Sequence, residues 1–124
     1  MAAWTHIAHD TIIGGLPAVS VTWSSISGSY DHLCIKASMR YSASGSAGQK
    51  PDVLYNGSTT DADYSNTYLI ASTTTPTSGN TGGRDQAAIM PTSSFLADTF
   101  GSTVIWIPHY SNSANFKQML SQSV

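Results

Sequence analysis

No glutamate occurs anywhere in these 124 residues, and charged residues of all kinds make up only 10% of them. Ordinary soluble domains carry about a quarter. Glutamate, lysine and arginine fill most surface positions of soluble helices, so their scarcity argues against a helical protein. The net charge is −2, with the five basic residues Lys36, Arg40, Lys50, Arg84 and Lys117 scattered rather than run together. A nucleic-acid footprint needs a clustered basic stripe, and a membrane-surface helix needs a basic amphipathic segment. Neither is present. The opening "MAAWTHIAHD" lacks the basic start and unbroken apolar core of a secretory signal, and no apolar run reaches the length of a membrane span. The expected site of synthesis is a cytoplasm. One cysteine, Cys34, cannot form an internal disulfide, so stability has to come from packing or assembly.

Serine, threonine, glycine and asparagine stand where the charges are missing. Long β-branched and Ser/Thr-rich segments favour strands, and the length fits one domain, residues 1–124, that buries roughly two-thirds of its unfolded surface. Val19, Val21 and Trp23 alternate with Ser20, Thr22 and Ser24, the period of a half-buried strand. Gly14, Gly15 and Pro17 separate it from an apolar stretch around Ile7 to Ile13.

A clearer strand puts Leu33, Ile35, Ala37, Met39 and Tyr41 on one face and Cys34, Lys36, Ser38 and Arg40 on the other. "SASGSAGQKP" after it is loop chemistry. Asn56-Gly57 favours the positive φ angles of a type I′ turn. "DYSNTYLIAS" predicts a strand with Tyr64, Asn66, Tyr68 and Ile70 on one face.

"TTTPTSGNTGGRD" has no periodicity and predicts a long loop. "QAAIMPTSS" predicts a short strand ended by Pro91, and "FLADTFGS" a connector with room for one helical turn. The unbroken "TVIWIP" predicts a strand buried on both faces. The tail "NFKQMLSQSV" reads as a final edge strand, with a helix as the alternative. The sum is all-β: a single-domain antiparallel β-sandwich, jelly-roll-like, of about eight strands at roughly 8–15-residue spacing.

Chemistry is harder to find. His6 and His9 have the spacing that shares a face on a helix and could hold zinc. On an extended N-terminal strand their rings point to opposite faces, and no cysteine or carboxylate cluster is near. Asp61 and Asp63, with Asn56 and Asn66, offer oxygen atoms of the kind calcium takes, but the spacing of a calcium loop is missing and a solvated turn explains them. His32, His109 and Asp98 could be set beside a serine on paper, yet no nucleophile elbow is present; no pair of glutamates exists for glycoside hydrolysis, although two aspartates could serve. Asn56-Gly57-Ser58 matches a glycosylation sequon, but without a secretory signal it reads as a hairpin turn. Cys34 reads as an inert thiol beside an interface or a second core. The expectation is no catalytic residue, no metal and no cofactor. What remains is a polar, low-charge recognition surface suited to interfaces or sugars, with Trp4, Trp23 and Trp106 packed inside or between subunits.

Several segments carry a family resemblance: Trp4 and Ile7 at the start, "VTWSSISGSYDHLCIKASMR", "YNG" followed by "DYSNTYLIAS", and "FGSTVIWIPHYSN" near the end. Over about residues 4–121 the chain resembles small β-sandwich virion proteins of tailed bacteriophages, the capsid decoration (cement) proteins and fibre-end domains. The four histidines, His6, His9, His32 and His109, depart from that pattern.

The resemblance implies a non-enzymatic structural part, made in the host cytoplasm and carried on the capsid surface of the virion. Its implied partners are the major capsid protein and copies of itself, as a homo-oligomer and typically a trimer, with no nucleic acid and no membrane. A fibre needs a long shaft, and this chain shows no shaft repeat, which favours the decoration role. The alternative is a tail or head-fibre module binding a receptor or carbohydrate through "SASGSAGQKP" and "TTTPTSGNTGG", with Tyr55, Tyr64 or Tyr68 as stacking platforms. The expected interface residues are Trp4, His109, Tyr110, Tyr64 and Tyr68. Val104 to Ile107 are expected in the core, with Pro108 ending the ladder because it has no N–H to donate.

Overall fold

The structure, a computed structural model, describes residues 4–12, 20–44, 49–72, 75–83, 85–114 and 116–124. Val19, the glycines of the 14–15 pair, Pro17, Arg84 and the centre of "SASGSAGQKP" lie outside them. Regular structure is almost wholly antiparallel strand, with one 3-10 turn at Asp61–Asp63. Among the described residues there are seven strands, in three separate sheets. β1 (Leu33–Met39), β6 (Gly101–Ile107) and β7 (Leu120–Ser123) form a sheet in the order β1-β6-β7. β2 (Asp52–Val53) pairs with β5 (Asp85–Gln86), and β3 (Ser65–Ser72) with β4 (Thr75–Gly82).

The central ladder sets Leu33 opposite Ile107, Ile35 opposite Ile105 and Ala37 opposite Thr103. Those positions share the inner face, since side chains alternate along a strand. Ile105 and Ile107 are buried with Ala87, and Leu33, Ile35, Val53, Tyr55, Tyr110 and Met119 pack around them. Burial along β6 strictly alternates until Trp106, which is only half-buried, and Val104 is exposed. The two-faced burial expected of "TVIWIP" is therefore wrong. One sheet face carries the core, while among the described residues the other has no second sheet over it.

Around residues 85–92 the chain continues as a broken ladder. The Ala87 N–H donates to the Pro51 carbonyl at 3.0 Å, and Gln49 and Met90 form an isolated bridge. The expected strand over this stretch is thus two short pieces. The connector after it is made of turns and no helix, closed by the Phe95 N–H on the Thr92 carbonyl and the Thr99 N–H on the Leu96 carbonyl. The tail is the expected edge strand. Pro108 follows the last residue of β6, as its missing N–H requires.

Asn56 and Gly57 have φ of 51° and 71°, and the Ser58 N–H donates to the Tyr55 carbonyl at 3.0 Å. That is the expected primed turn, but β2 leaves it to pair with β5 rather than with β3. β3 keeps its alternation: Tyr64 is buried, Asn66, Tyr68 and Ile70 are half-buried, and Ser65, Thr67 and Leu69 are exposed. The segment expected as a long loop is instead β4, paired with β3 from Ser65–Gly82 to Ser72–Thr75. No buried side chain is seen on Pro76, Thr77, Ser78 or Asn80, so nothing in the strand is apolar by need. Gly79 lies under the Tyr68 ring, where an added Cβ would sit 2.7 Å from the tyrosine oxygen.

Residues 20–26 form no strand despite the alternation of Val21 and Trp23. Among the described residues many large apolar side chains are exposed, Leu69 at 77% and Leu96 at 85%.

The one-faced core predicts unequal effects at adjacent positions of β6. Ile105→Ala is expected to lower unfolding free energy by about 2–5 kcal/mol, through lost burial and the cavity left behind. Val104→Ala is expected to lower it by under about 1 kcal/mol. Denaturant unfolding of both variants at one protein concentration measures the difference.

Candidate interaction surface

The bare face of the β1-β6-β7 sheet is read directly from its register. Cys34 stands opposite Trp106 and Lys36 opposite Val104, while Leu120 and Gln122 flank the same two positions from β7. Leu120 is 72% exposed and Trp4 equally so. Trp4 sets its ring edge-on to Trp106 at 5.4 Å, and His32 stacks on Trp106 at 5.5 Å with 30° between planes. The other neighbour of His32 is His109, at 4.9 Å. These four rings form one strip beside the end of β6.

Backbone geometry holds that strip. After Pro108 the chain turns, and His109 takes a φ of 47°, a region costing an ordinary residue roughly 1–2 kcal/mol. Its N–H donates to Nδ1 of His32 at 3.0 Å. Nδ1 must therefore be the bare nitrogen of that imidazole. Tyr110 follows, half-buried, with its N–H on the Asp31 carbonyl at 2.9 Å. Its hydroxyl reaches the carbonyls of Ile26, at 2.9 Å, and Ser27. Lys117 donates to the carbonyls of Tyr110 and Asn112. Tyr110 thus ties three separate stretches of chain to the end of β6.

The remaining expected residues sit elsewhere. Tyr64 is buried: its hydroxyl donates to the Ser58 carbonyl at 2.9 Å and accepts from the Tyr55 N–H at 3.1 Å, and its ring lies near-parallel to Tyr55 at 6.4 Å. The half-buried Tyr68 carries the Lys50 ammonium 4.9 Å above its ring, a cation–π contact. Tyr64 and Tyr68 therefore do not join Trp4, His109 and Tyr110.

A trough separates the two groups. It has a volume of about 920 Å³ and runs between the tail residues leading into β7 and the start of β3, with Tyr55, Tyr64 and Met119 among its walls. A smaller hollow of about 400 Å³ continues it towards Pro108 and His109, and Phe116 and Gln118 line both. Phe116 is 96% exposed. Little in the residue pattern marks this trough beyond Phe116, Met119 and Leu120 in the tail.

The weighed chemistries find little here. The His6 and His9 rings lie 5.6 Å apart on an irregular segment, not on opposite faces of a strand. Among the described residues no three His, Cys, Asp or Glu side chains gather as a metal site. Asp63 accepts a 2.6 Å hydrogen bond from the Ser58 hydroxyl, the turn chemistry expected of that segment. Asp98 sits in the 96–99 turn with a φ of 63°. No described helix is long and apolar enough to cross a membrane.

Comparison with family models, curated proteins and solved structures gives no match. Function has to be read from the surface itself.

The Tyr64 hydroxyl serves two backbone groups in a part-buried place. Tyr64→Phe strands both and is expected to destabilise the chain by about 1–3 kcal/mol, visible as a lowered denaturation midpoint with an unchanged m-value.

Proposed function

We propose that this chain is a non-enzymatic virion structural protein of a tailed phage. In this reading it is a capsid decoration (cement) protein that binds the major capsid protein and its own copies and stabilises the head shell. The observation that carries the assembly part of the reading is the uncovered surface. Among the described residues, large apolar side chains from several separate elements stand in solvent rather than in the core, as surface destined for contact with another protein does.

The chemistry of that surface agrees with burial between proteins. Trp4, Leu69, Leu96, Phe116 and Leu120 are all largely exposed, and aromatic residues are enriched at interface centres while charges are depleted there. With 10% charged residues, a contact over this surface strands few ions. A decoration protein repeated over a shell gains by multivalency, since many weak contacts act together. Shell rupture then has to break them at once. The phage assignment itself rests on the resemblance of the strand and turn segments. We further propose that the ladders close into a jelly-roll-like sandwich in the assembled trimer at the capsid surface.

The tail or fibre reading has less support in the geometry. Tyr64 is buried and Tyr55 lies against it, while the Tyr68 ring already carries Lys50. None of the three offers the open ring face that a sugar would stack on.

Purified particles stripped of this protein are expected to rupture at lower temperature than intact ones, with stability restored on adding it back. The copy number should follow the icosahedral repeat of the shell. Equal rupture temperatures, or a handful of copies confined to the tail, would end the decoration reading.

A further inference from the structure

Among the described residues, two strand edges carry no further strand. β7 is the outer member of its sheet, and β3 pairs with β4 alone. Residues of both strands line the trough, Leu120 and Ser121 from β7 and Ser65 to Thr67 from β3. A sheet edge is a template for another strand, and folded proteins normally cover it.

The chain also holds a segment with a strand's pattern and no strand partner. Val21 and Trp23 alternate with Ser20, Thr22 and Ser24, all five are exposed, and none belongs to a strand. The segment is fixed at one end only among the described residues: Tyr110 holds the carbonyls of Ile26 and Ser27. Ser25, between anchor and segment, has a φ of 57°. That left-handed residue turns residues 20–24 away from the line of the anchored end. At about 3.4 Å per residue the five residues span about 17 Å, against about 13 Å for the four of β7.

We propose that residues 20–24 of one copy enter the trough of a second copy as an added strand between β7 and β3. Val21 and Trp23 then face the wall of Tyr55, Tyr64 and Met119. Ser20, Thr22 and Ser24 face out, beside the polar lip of Asn66 and Gln118. The added strand joins the β1-β6-β7 sheet to the β3-β4 hairpin. Its main-chain hydrogen bonds give affinity and its alternate side chains give register, as in other cases of strand addition. The occupant is a copy of this chain because the only strand-patterned segment without a ladder, among the described residues, is its own.

The inference rests on the reading of the chain as an assembly subunit, but its test needs no virus particle. In a Cys34→Ser background, one protein carries Thr22→Cys and a second carries Leu120→Cys, which lies on the outward phase of β7 opposite Trp106. The two are unfolded together, refolded as a mixture and oxidised. The expected result is a disulfide joining the two different chains, absent when Lys36→Cys replaces Leu120→Cys. A chain carrying both Thr22→Cys and Leu120→Cys that closes only on itself would overturn the exchange. So would cross-links that form only when purified shells are present, because the occupant would then be a capsid segment. As a second measurement, Val21→Asp with Trp23→Asp is expected to weaken self-association at least tenfold by light scattering, with the unfolding m-value retained. Unchanged association would overturn the proposal. Failure of the decoration role would leave the cross-link between copies intact.

Discussion

The antiparallel pairing of β1 with β6 decides which side chains of this chain are inside. Its register turns Ile105 and Ile107 inward against Leu33 and Ile35, and by the same alternation turns Val104 and Trp106 outward. A one-residue slip would exchange the two sets, which is why a sheet with one packed face holds its register firmly. Everything else hangs on that ladder. The core around Ala87, Ile105 and Ile107 is small, and the turn after Pro108 places Tyr110 where it can hold Ile26 and Ser27. The aromatic strip exists because Trp106 falls on the outward phase.

Such a core leaves a physical problem that more hydrophobic burial within one chain does not solve. Trp4, Leu69, Leu96 and Phe116 stay exposed, and a single cysteine gives no internal disulfide to staple the chain. In the proposed assembly, neighbouring chains cover these side chains. The sparse charge acquires its meaning here. Lysine and glutamate on a surface resist being covered, through desolvation and through lost side-chain entropy. Serine, threonine and asparagine resist less, so a surface made of them suits burial against other proteins.

How much of this was legible in the sequence depended on whether a strand buries a side chain. β1, β3 and the Asn56-Gly57 turn were legible, since each writes its geometry into residue type: alternation in Leu33 to Met39 and in Tyr64 to Ile70, positive φ in the turn. β4 was not. It is held to β3 by main-chain pairing, and Pro76, Thr77, Ser78 and Asn80 stay exposed, so no hydrophobic period marks it. In β6 the error ran the other way. An unbroken apolar run suggested two buried faces, but Val104 is exposed and Trp106 only half-buried, on a face that no second sheet covers among the described residues. The expected surface set was scattered for a similar reason. Residue type marks Tyr64 and Trp4 alike as aromatic, and only the fold puts one in the interior and leaves the other exposed.

These mismatches share a cause. An apolar pattern records burial wherever it occurs, within a chain or between chains, and sequence does not distinguish the two. Val104 and Trp106 read as core, without a second sheet above them among the described residues. Val21 and Trp23 read as a strand without a ladder beside them. At the same time β3 and β7, each at an edge of its sheet, both line one trough. In the proposed exchange, the strand pattern of residues 20–24 and the edges of β3 and β7 are the two halves of one contact. Exchange between identical chains satisfies both halves with a single symmetric rule, since each copy gives one segment and receives one. That rule closes into a ring when the rotation between neighbours closes, which ties the placement of five residues to the oligomer's symmetry.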